Sequence, residues 1–461
     1  MLCNVDDTLV EDATRILTLL CLASRPLTIR ELIDGIAVDI GDQKRFQVSR
    51  RLKDEDDIHR ICPGLVEIRR EPDRYVLEQN VEDFRRTFHI AHFSVQEYLE
   101  SGRIEDPRAA RFGIERAKAH DEVASICLIY LCNTQMSYES KSEVYDRYPL
   151  SMYAASHWYH HHKSAADPKY LSEQLVLDFF QNQHIAFRNW VRLQNIDYLS
   201  PGLDLNNPDI QSPIYYASIL GLTDVLYQLL ENLLQSERNH IESQSKLPLA
   251  VTRLINAQGG SFGTALQAAS YHGHKSIVPL LLANGADINT QEGIWGSALH
   301  AASHNSHESL VELLLANGAD INAQGGYFGT ALQSASYHDH KSLVELLLAN
   351  GADINAQGGS FGAALHVASY SGYESLVELL LANGADINAQ GGYFGTALQA
   401  ASYNGHKSLV ELLLANGADI NAQGREFGTA LQAASIQGHK SIIELLLANG
   451  AIAIDWELSS F

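Results

Sequence analysis

Thr396-Ala397-Leu398-Gln399-Ala400-Ala401-Ser402-Tyr403-Asn404-Gly405-His406-Lys407-Ser408-Leu409-Val410-Glu411-Leu412-Leu413-Leu414-Ala415-Asn416-Gly417-Ala418-Asp419-Ile420-Asn421 decides the fold. Alanine and leucine recur at helical spacing over Thr396–Ser402, which predicts a short inner helix. Gly405-His406 breaks it. Ser408–Ala415 predicts a second helix with a wide apolar face. Asn416-Gly417 ends that helix, because glycine accepts the left-handed conformation that follows a helix C-terminus. Ala418–Gln423 then extends toward a glycine-rich turn. The whole unit recurs: its punctuating glycine is Gly285, Gly318, Gly351, Gly384, Gly417 and Gly450, at intervals of 33 residues. A fixed period of that length means a solenoid, in which each unit buries its apolar face against its neighbours. Such a surface is built to hold another molecule.

Two helices and a turn in this phrase resemble the ankyrin repeat, T-P-L-H-x-A-A-x-x-G-H…L-L-L-x-x-G-A-D-x-N. The departures are alanine for proline (Ala265, Ala298, Ala331, Ala364, Ala397, Ala430) and glutamine for histidine (Gln267, Gln333, Gln399, Gln432). Only His300 and His366 keep the histidine. An aromatic ring replaces a turn glycine at Phe262, Trp295, Phe328, Phe361, Phe394 and Phe427. A divergent repeat is expected at about 211–235, an insertion at 232–254, six regular repeats at 262–451 and a C-terminal cap at 452–461. The ankyrin-repeat domain is thus 206–461.

Comparing the repeats with one another isolates three variable columns. The turn tips are Ser261, Ile294, Tyr327, Ser360, Tyr393 and Glu426. The inner-helix ends are Tyr271, His304, Tyr337, Tyr370, Tyr403 and Ile436. The next column is His272, Asn305, His338, Ser371, Asn404 and Gln437. The resemblance implies that these columns line a concave face and contact a protein ligand. Tyrosine suits contact, with large area at low entropic cost. Columns that are merely exposed would also vary. Pro279 stands where the other units have glutamate, and reads either as a first-turn proline or as a kink.

The 461-residue chain carries a formal net charge of −22. That opposes general affinity for nucleic acid or anionic lipid. Its five cysteines, Cys3, Cys21, Cys62, Cys127 and Cys132, are scattered without a CxxC pair and read as free thiols in a reducing compartment. Acidic residues interrupt the N-terminus, so no signal peptide is expected, and no apolar run is long enough to span a bilayer. A cytoplasmic location follows as the expectation.

Residues 1–101 contain no repeat. Helices are expected at Leu9–Ala23, Ile29–Ala37 (with Thr28 as N-cap) and Asp54–Cys62, then strands at Leu65–Arg70, Tyr75–Gln79 and Phe88–His92. Three helices followed by strands form a winged-helix arrangement. Lys44, Arg45, Arg50, Arg51 and Lys53 invite a DNA-binding reading, but Asp54–Asp57 follow at once. Ser24–Leu32, Ile61–Val66 and Ala91–Leu99 resemble the winged-helix segment that follows the NACHT nucleoside-triphosphatase in fungal NLR-like (STAND) proteins. Residues 102–205, with Ala119–Leu131 and Tyr148–His162, resemble the helical connector of such proteins. The resemblance implies the sensing part of a receptor in non-self recognition or cell-death signalling, with a NACHT module as partner of residues 1–101. A stand-alone ankyrin adaptor, scaffold or decoy is the alternative.

The NACHT module itself is missing: no G-x-x-x-x-G-K-[ST] occurs. Gly273-His274-Lys275-Ser276 is a decoy within the ankyrin turn. His157, His160, His161 and His162 read as a solvated helix face rather than a metal site. Cys127 and Cys132 read as core residues. His307-Glu308 lacks a second histidine at Val311. The bend histidines His274, His307, His340, His406 and His439 are expected to bond backbone. No catalytic residue, cofactor or metal is expected, and the reading is a non-enzymatic, mainly α protein: winged-helix-like α+β domain, helical connector and ankyrin solenoid.

Overall fold

A computed structural model describes all residues except 1, 3–4, 42–43, 73–83, 135–140, 166–170, 195–209, 239–248, 292, 425 and 454–461. The expected strand at Tyr75–Gln79 and nearly all of the expected cap lie outside the described residues. The chain divides into two compact units, 1–210 and 211–461.

In the first unit, α1 (Val10–Leu22), β1 (Leu27–Thr28), α2 (Ile29–Ile36), β2 (Val38–Asp39), β3 (Arg45–Phe46) and α3 (Glu55–Ile61) precede β4 (Val66–Pro72), β5 (Phe84–Ile90) and α4 (Phe93–Glu100). Local chemistry fixes the helix starts. The Thr28 hydroxyl accepts the Glu31 N–H at 3.2 Å, and the Glu31 carboxylate accepts the Thr28 N–H at 2.8 Å, a reciprocal cap. Asp54 accepts the N–H groups of Asp56 and Asp57 at the start of α3. β1, β5 and β4 form one antiparallel sheet in that order, with Phe88 opposite both Leu27 and Ile68. β2 pairs with β3. Neither β1 nor the β2–β3 pair was expected. Two-residue strands carry no period and exist only through their partners.

After α5 (Pro107–Ala110) come α6 (Arg116–Asn133), α7 (Lys141–Arg147), α8 (Ser151–Ala165), α9 (Leu171–Gln181) and α10 (His184–Gln194). α6 packs on α8, α9 and α10 and also on α1 and α2, so these helices and the winged helix share one core. Trp158, Phe179, Phe180, Phe187 and Trp190 fill the α8–α10 interface, and the Trp190 indole donates to the Ala155 carbonyl at 3.0 Å. Trp158 and His161 lie three residues apart on one face of α8, and that face is buried. The expected solvated histidine face is therefore corrected: His161 is 1% exposed, His157 and His162 are half-buried, and only His160 of the four is exposed. Among the described residues Cys21, Cys62, Cys127 and Cys132 are free thiols. Burial raises all four, pushing Cys21, Cys62 and Cys132 up to about 12 and holding them as unreactive thiols.

Two members of the basic stretch are engaged within the fold. Arg51 pairs with the buried Asp34 at 2.6 Å and lies over the Phe46 ring. Arg50 reaches Glu11 and Asp12.

The second unit starts with α11 (Pro213–Leu220) and α12 (Thr223–Arg238), followed by α13 (Leu249–Ile255). Both ends of the expected insertion are thus helical. Six inner helices follow, starting at Ala265, Ala298, Ala331, Ala364, Ala397 and Ala430, each paired with an outer helix. Leu310, Val311 and Leu314 of one outer helix, and their counterparts in the others except the half-buried Ile443 of the last, are fully buried. An asparagine ladder ties the far edge. Asn289 Oδ1 accepts the Asp320 N–H at 2.8 Å, and its Nδ2 donates to the Gly318 carbonyl at 3.2 Å. The same pair of bonds recurs from Asn256 to Asn421. The helix carrying Pro279 starts at Ile277, whereas its counterpart starts at Glu308, two residues earlier in the repeat. Proline therefore sits in a first turn, where its missing N–H leaves no helical bond unmade.

Candidate protein-binding face

Each of the first five regular inner helices is started by a side chain that also bolts two repeats together. Gln333 Oε1 accepts the Thr330 N–H at 2.6 Å, and its Nε2 donates to the Ala356 carbonyl at 2.9 Å and to the Gly362 carbonyl of the next repeat. His366 does the same with a ring: Nδ1 accepts the Ala363 N–H at 3.0 Å, and Nε2 donates to Ala389 and Gly395. Glutamine therefore substitutes for the family's histidine without losing a bond. Burial holds His300 and His366 below the ordinary histidine range. Their neutral forms are the folded forms. Stability is therefore complete above the unfolded histidine value of about 6.5 and falls as pH drops below it. We expect a His300→Gln/His366→Gln variant to lose less stability than wild type between pH 7 and pH 5, read from urea midpoints. Parallel losses would contradict this.

The bend histidines reach backward. His274, His307, His340, His406 and His439 place Nε2 2.9–3.1 Å from the Ile219, Tyr271, His304, Tyr370 and Tyr403 carbonyls. These bonds hold the inner-helix ends in register with the following repeat.

On this scaffold the aromatic turn residues and the inner-helix ends interleave. The rings Phe262, Tyr271, Trp295, His304, Phe328, Tyr337, Phe361, Tyr370, Phe394, Tyr403 and Phe427 run in an unbroken zigzag with successive centroids 4.4–5.6 Å apart. Offset and edge contacts of this kind add to area burial. The turn tips lie beside this ribbon and are chained by backbone bonds: the Tyr327 N–H donates to the Ile294 carbonyl, Ser360 to Tyr327, and Tyr393 to Ser360, at 2.9–3.2 Å.

The sequence-predicted residues fall into two groups. Ile294, Tyr327, Ser360, Tyr393, Glu426, His338, Ile436 and Gln437 are exposed. Ser261, Tyr271, His272, His304, Asn305, Tyr337, Tyr370, Ser371, Tyr403 and Asn404 are half-buried. Tyr337, Tyr370 and Tyr403 pack against the core of Phe328, Phe361 and Phe394. They are structural as well as accessible. Tyr327 and Tyr393, 52% and 53% exposed, rest on that same phenylalanine column. Burial, then the neighbouring tyrosines, raises the Tyr370 phenol, so it stays a neutral hydroxyl. Sequence reasoning missed the part played by the turn aromatics. The signal was present: each stands nine positions before an inner-helix end, as Phe361 does before Tyr370.

Among the described residues no group of three or more His, Cys, Asp or Glu is arranged to hold a metal, and no helix is long and apolar enough to cross a membrane.

Residues 233–325, 266–358, 299–391 and 365–455 match the family described as ankyrin repeats (3 copies). Residues 3–115 match the family described as GPI inositol-deacylase, winged helix domain. A curated relative, "Azaphilone pigments biosynthesis cluster protein L" of Monascus ruber, is 39% identical over 297 residues, covering 62% of this chain and 58% of the relative. The chain thus carries ankyrin repeats in its C-terminal half and a winged-helix domain at its N-terminal end.

Proposed function

We propose that the chain recognises a protein through the aromatic ribbon and the tip column beside it. The observation that carries this reading is the exposure of Tyr327 and Tyr393 on a backbone-bonded, ring-packed base. A rigid base means little ordering cost on binding. The three variable columns carry one carboxylate, Glu426, in a chain of net charge −22. A tyrosine-rich surface with a single carboxylate fits a protein ligand. Affinity for the bound protein is expected to fall at least about tenfold in Tyr327→Ser/Tyr393→Ser, at about 1–2 kcal/mol for each anchor. Phenylalanine at 337, 370 and 403 keeps the rings and is the folded control for their hydroxyls. Unchanged affinity in the tip variant would sink the proposal.

The finer reading is the sensing and regulatory part of an NLR-like (STAND) receptor. The winged helix and its resemblance to NACHT-associated segments support it. Phe93 on α4 is 68% exposed and offers a contact for a NACHT module. Binding of such a module to the full chain, weakened by Phe93→Ser, is the expected result; no binding would reject the receptor reading. The second reading is a stand-alone adaptor, scaffold or decoy, and a relative named for a pigment biosynthesis cluster rather than for a receptor supports it.

A further inference from the structure

A buried polar chain runs through the first unit and joins the winged helix to α6 and α8. The Ser24 N–H donates to the Tyr153 hydroxyl oxygen at 3.2 Å. That oxygen lies 2.9 Å from His161 Nε2, and His161 Nδ1 lies 2.9 Å from His120 Nδ1. Tyr153 and His161 are each 1% exposed, while His120 is half-buried. Two ring nitrogens at that distance must share one proton.

Among the described contacts, one arrangement satisfies every group. Tyr153 accepts from Ser24 and donates to His161 Nε2. His161 Nδ1–H donates to His120 Nδ1, and His120 turns Nε2–H outward. Both acceptor nitrogens of the chain are then occupied. A further proton on His120 Nδ1 would face the His161 Nδ1 proton. Moving the latter to Nε2 would set it against the Tyr153 hydroxyl, whose own hydrogen would lose its acceptor. A buried hydroxyl left so is costly.

We propose that Tyr153, His161 and His120 form a proton-operated latch, which holds the Ser24–Glu31 segment on α8 while the histidine pair is neutral and releases it on proton uptake. The segment is the entry to α2: Arg25 lies over the Tyr153 ring and pairs with Glu31, whose carboxylate completes the reciprocal cap with Thr28. Other groups around the latch are already engaged or of the same sign. Glu100 on α4 pairs with Arg116, and Asp121 accepts the Leu171 and Ser172 N–H groups. His157 stacks on Tyr153, Cys127 lies beside it, and His160 with Lys163 flanks the outer side. Burial, then the neighbouring histidines, pushes His161 down to about 3, and burial also lowers His120. A folded value below the unfolded one means that the contact is complete above about pH 6.5 and weakens as pH falls.

Hydrogen–deuterium exchange of the full chain at pH 7 and pH 5, corrected for intrinsic rates, tests this. In wild type, protection of Ser24–Glu31 and of the first half of α8 should fall at least tenfold at pH 5, and should do so equally in the His300→Gln/His366→Gln variant, whose solenoid loses less stability over that range. His120→Asn supplies a non-titrating acceptor, leaves His161 as the one titrating ring of the pair, and should make the fall at least threefold smaller; His120→Gln carries the test should the first variant not fold. Tyr153→Phe frees His161 Nε2 and should abolish the pH dependence. Equal wild-type protection at both pH values, an unaltered response in His120→Asn or Tyr153→Phe, or loss of the response in His300→Gln/His366→Gln would overturn the latch.

Discussion

Gln333→Ala is expected to destabilise the solenoid by about 3 kcal/mol, whereas Gln333→His should change it by less than about 1 kcal/mol. The alanine leaves the Thr330 N–H without its acceptor and the Ala356 and Gly362 carbonyls without their donor, all in a buried site. Removing one partner of a buried bond costs the desolvation of what remains, so three orphaned groups outweigh the lost side chain itself. Histidine restores all three bonds, as His366 does one repeat later. Because each repeat is stabilised by its interfaces, the loss falls on the junction of the third and fourth repeats. Urea denaturation of the two variants measures the difference. Equal destabilisation by both would mean that volume, not hydrogen bonding, sets the residue at this position.

Gly359→Ala is expected to cost more than about 3 kcal/mol, and Gly351→Ala about 1–2 kcal/mol. Both glycines have positive φ, +59° and +91°, so both alanines pay for a left-handed backbone. A Cβ at 351 would meet nothing within 4 Å. A Cβ at 359 would sit 2.3 Å from the Phe328 carbonyl carbon and 2.4 Å from its oxygen. Those are backbone atoms that cannot rotate aside. The Tyr327–Ser360 bond beside them would part, opening the tip column. Thermal unfolding separates the two variants, and similar losses would place the effect in φ alone.

The solenoid was legible because its cause is local and repeated. Thr330, Gln333 and Gly351 recur at one spacing, and each makes its bonds within its repeat or with the next. The three winged-helix helices were legible for the same reason, from Thr28, Asp54 and the apolar spacing between them. β1 was not, since Leu27-Thr28 is a strand only through Phe88, far along the chain. His161 was misread because a run of polar rings resembles a wet surface; its burial follows from Trp158, one turn away on the same face of α8. The half-buried state of Tyr337, Tyr370 and Tyr403 required knowing that the turn aromatics fold under them. Periodicity marked both columns without showing that they interlock.

The central claim is that the tip-and-ribbon face, not the outer helices, holds the partner. The direct measurement is photo-crosslinking in the cells that make the protein, with p-benzoylphenylalanine replacing Tyr327 in one variant and the exposed outer-helix residue Glu345 in another. A discrete protein adduct from position 327, abolished by Tyr393→Ser and absent from position 345, is the result this account predicts. An adduct from 345 with none from 327 would contradict it.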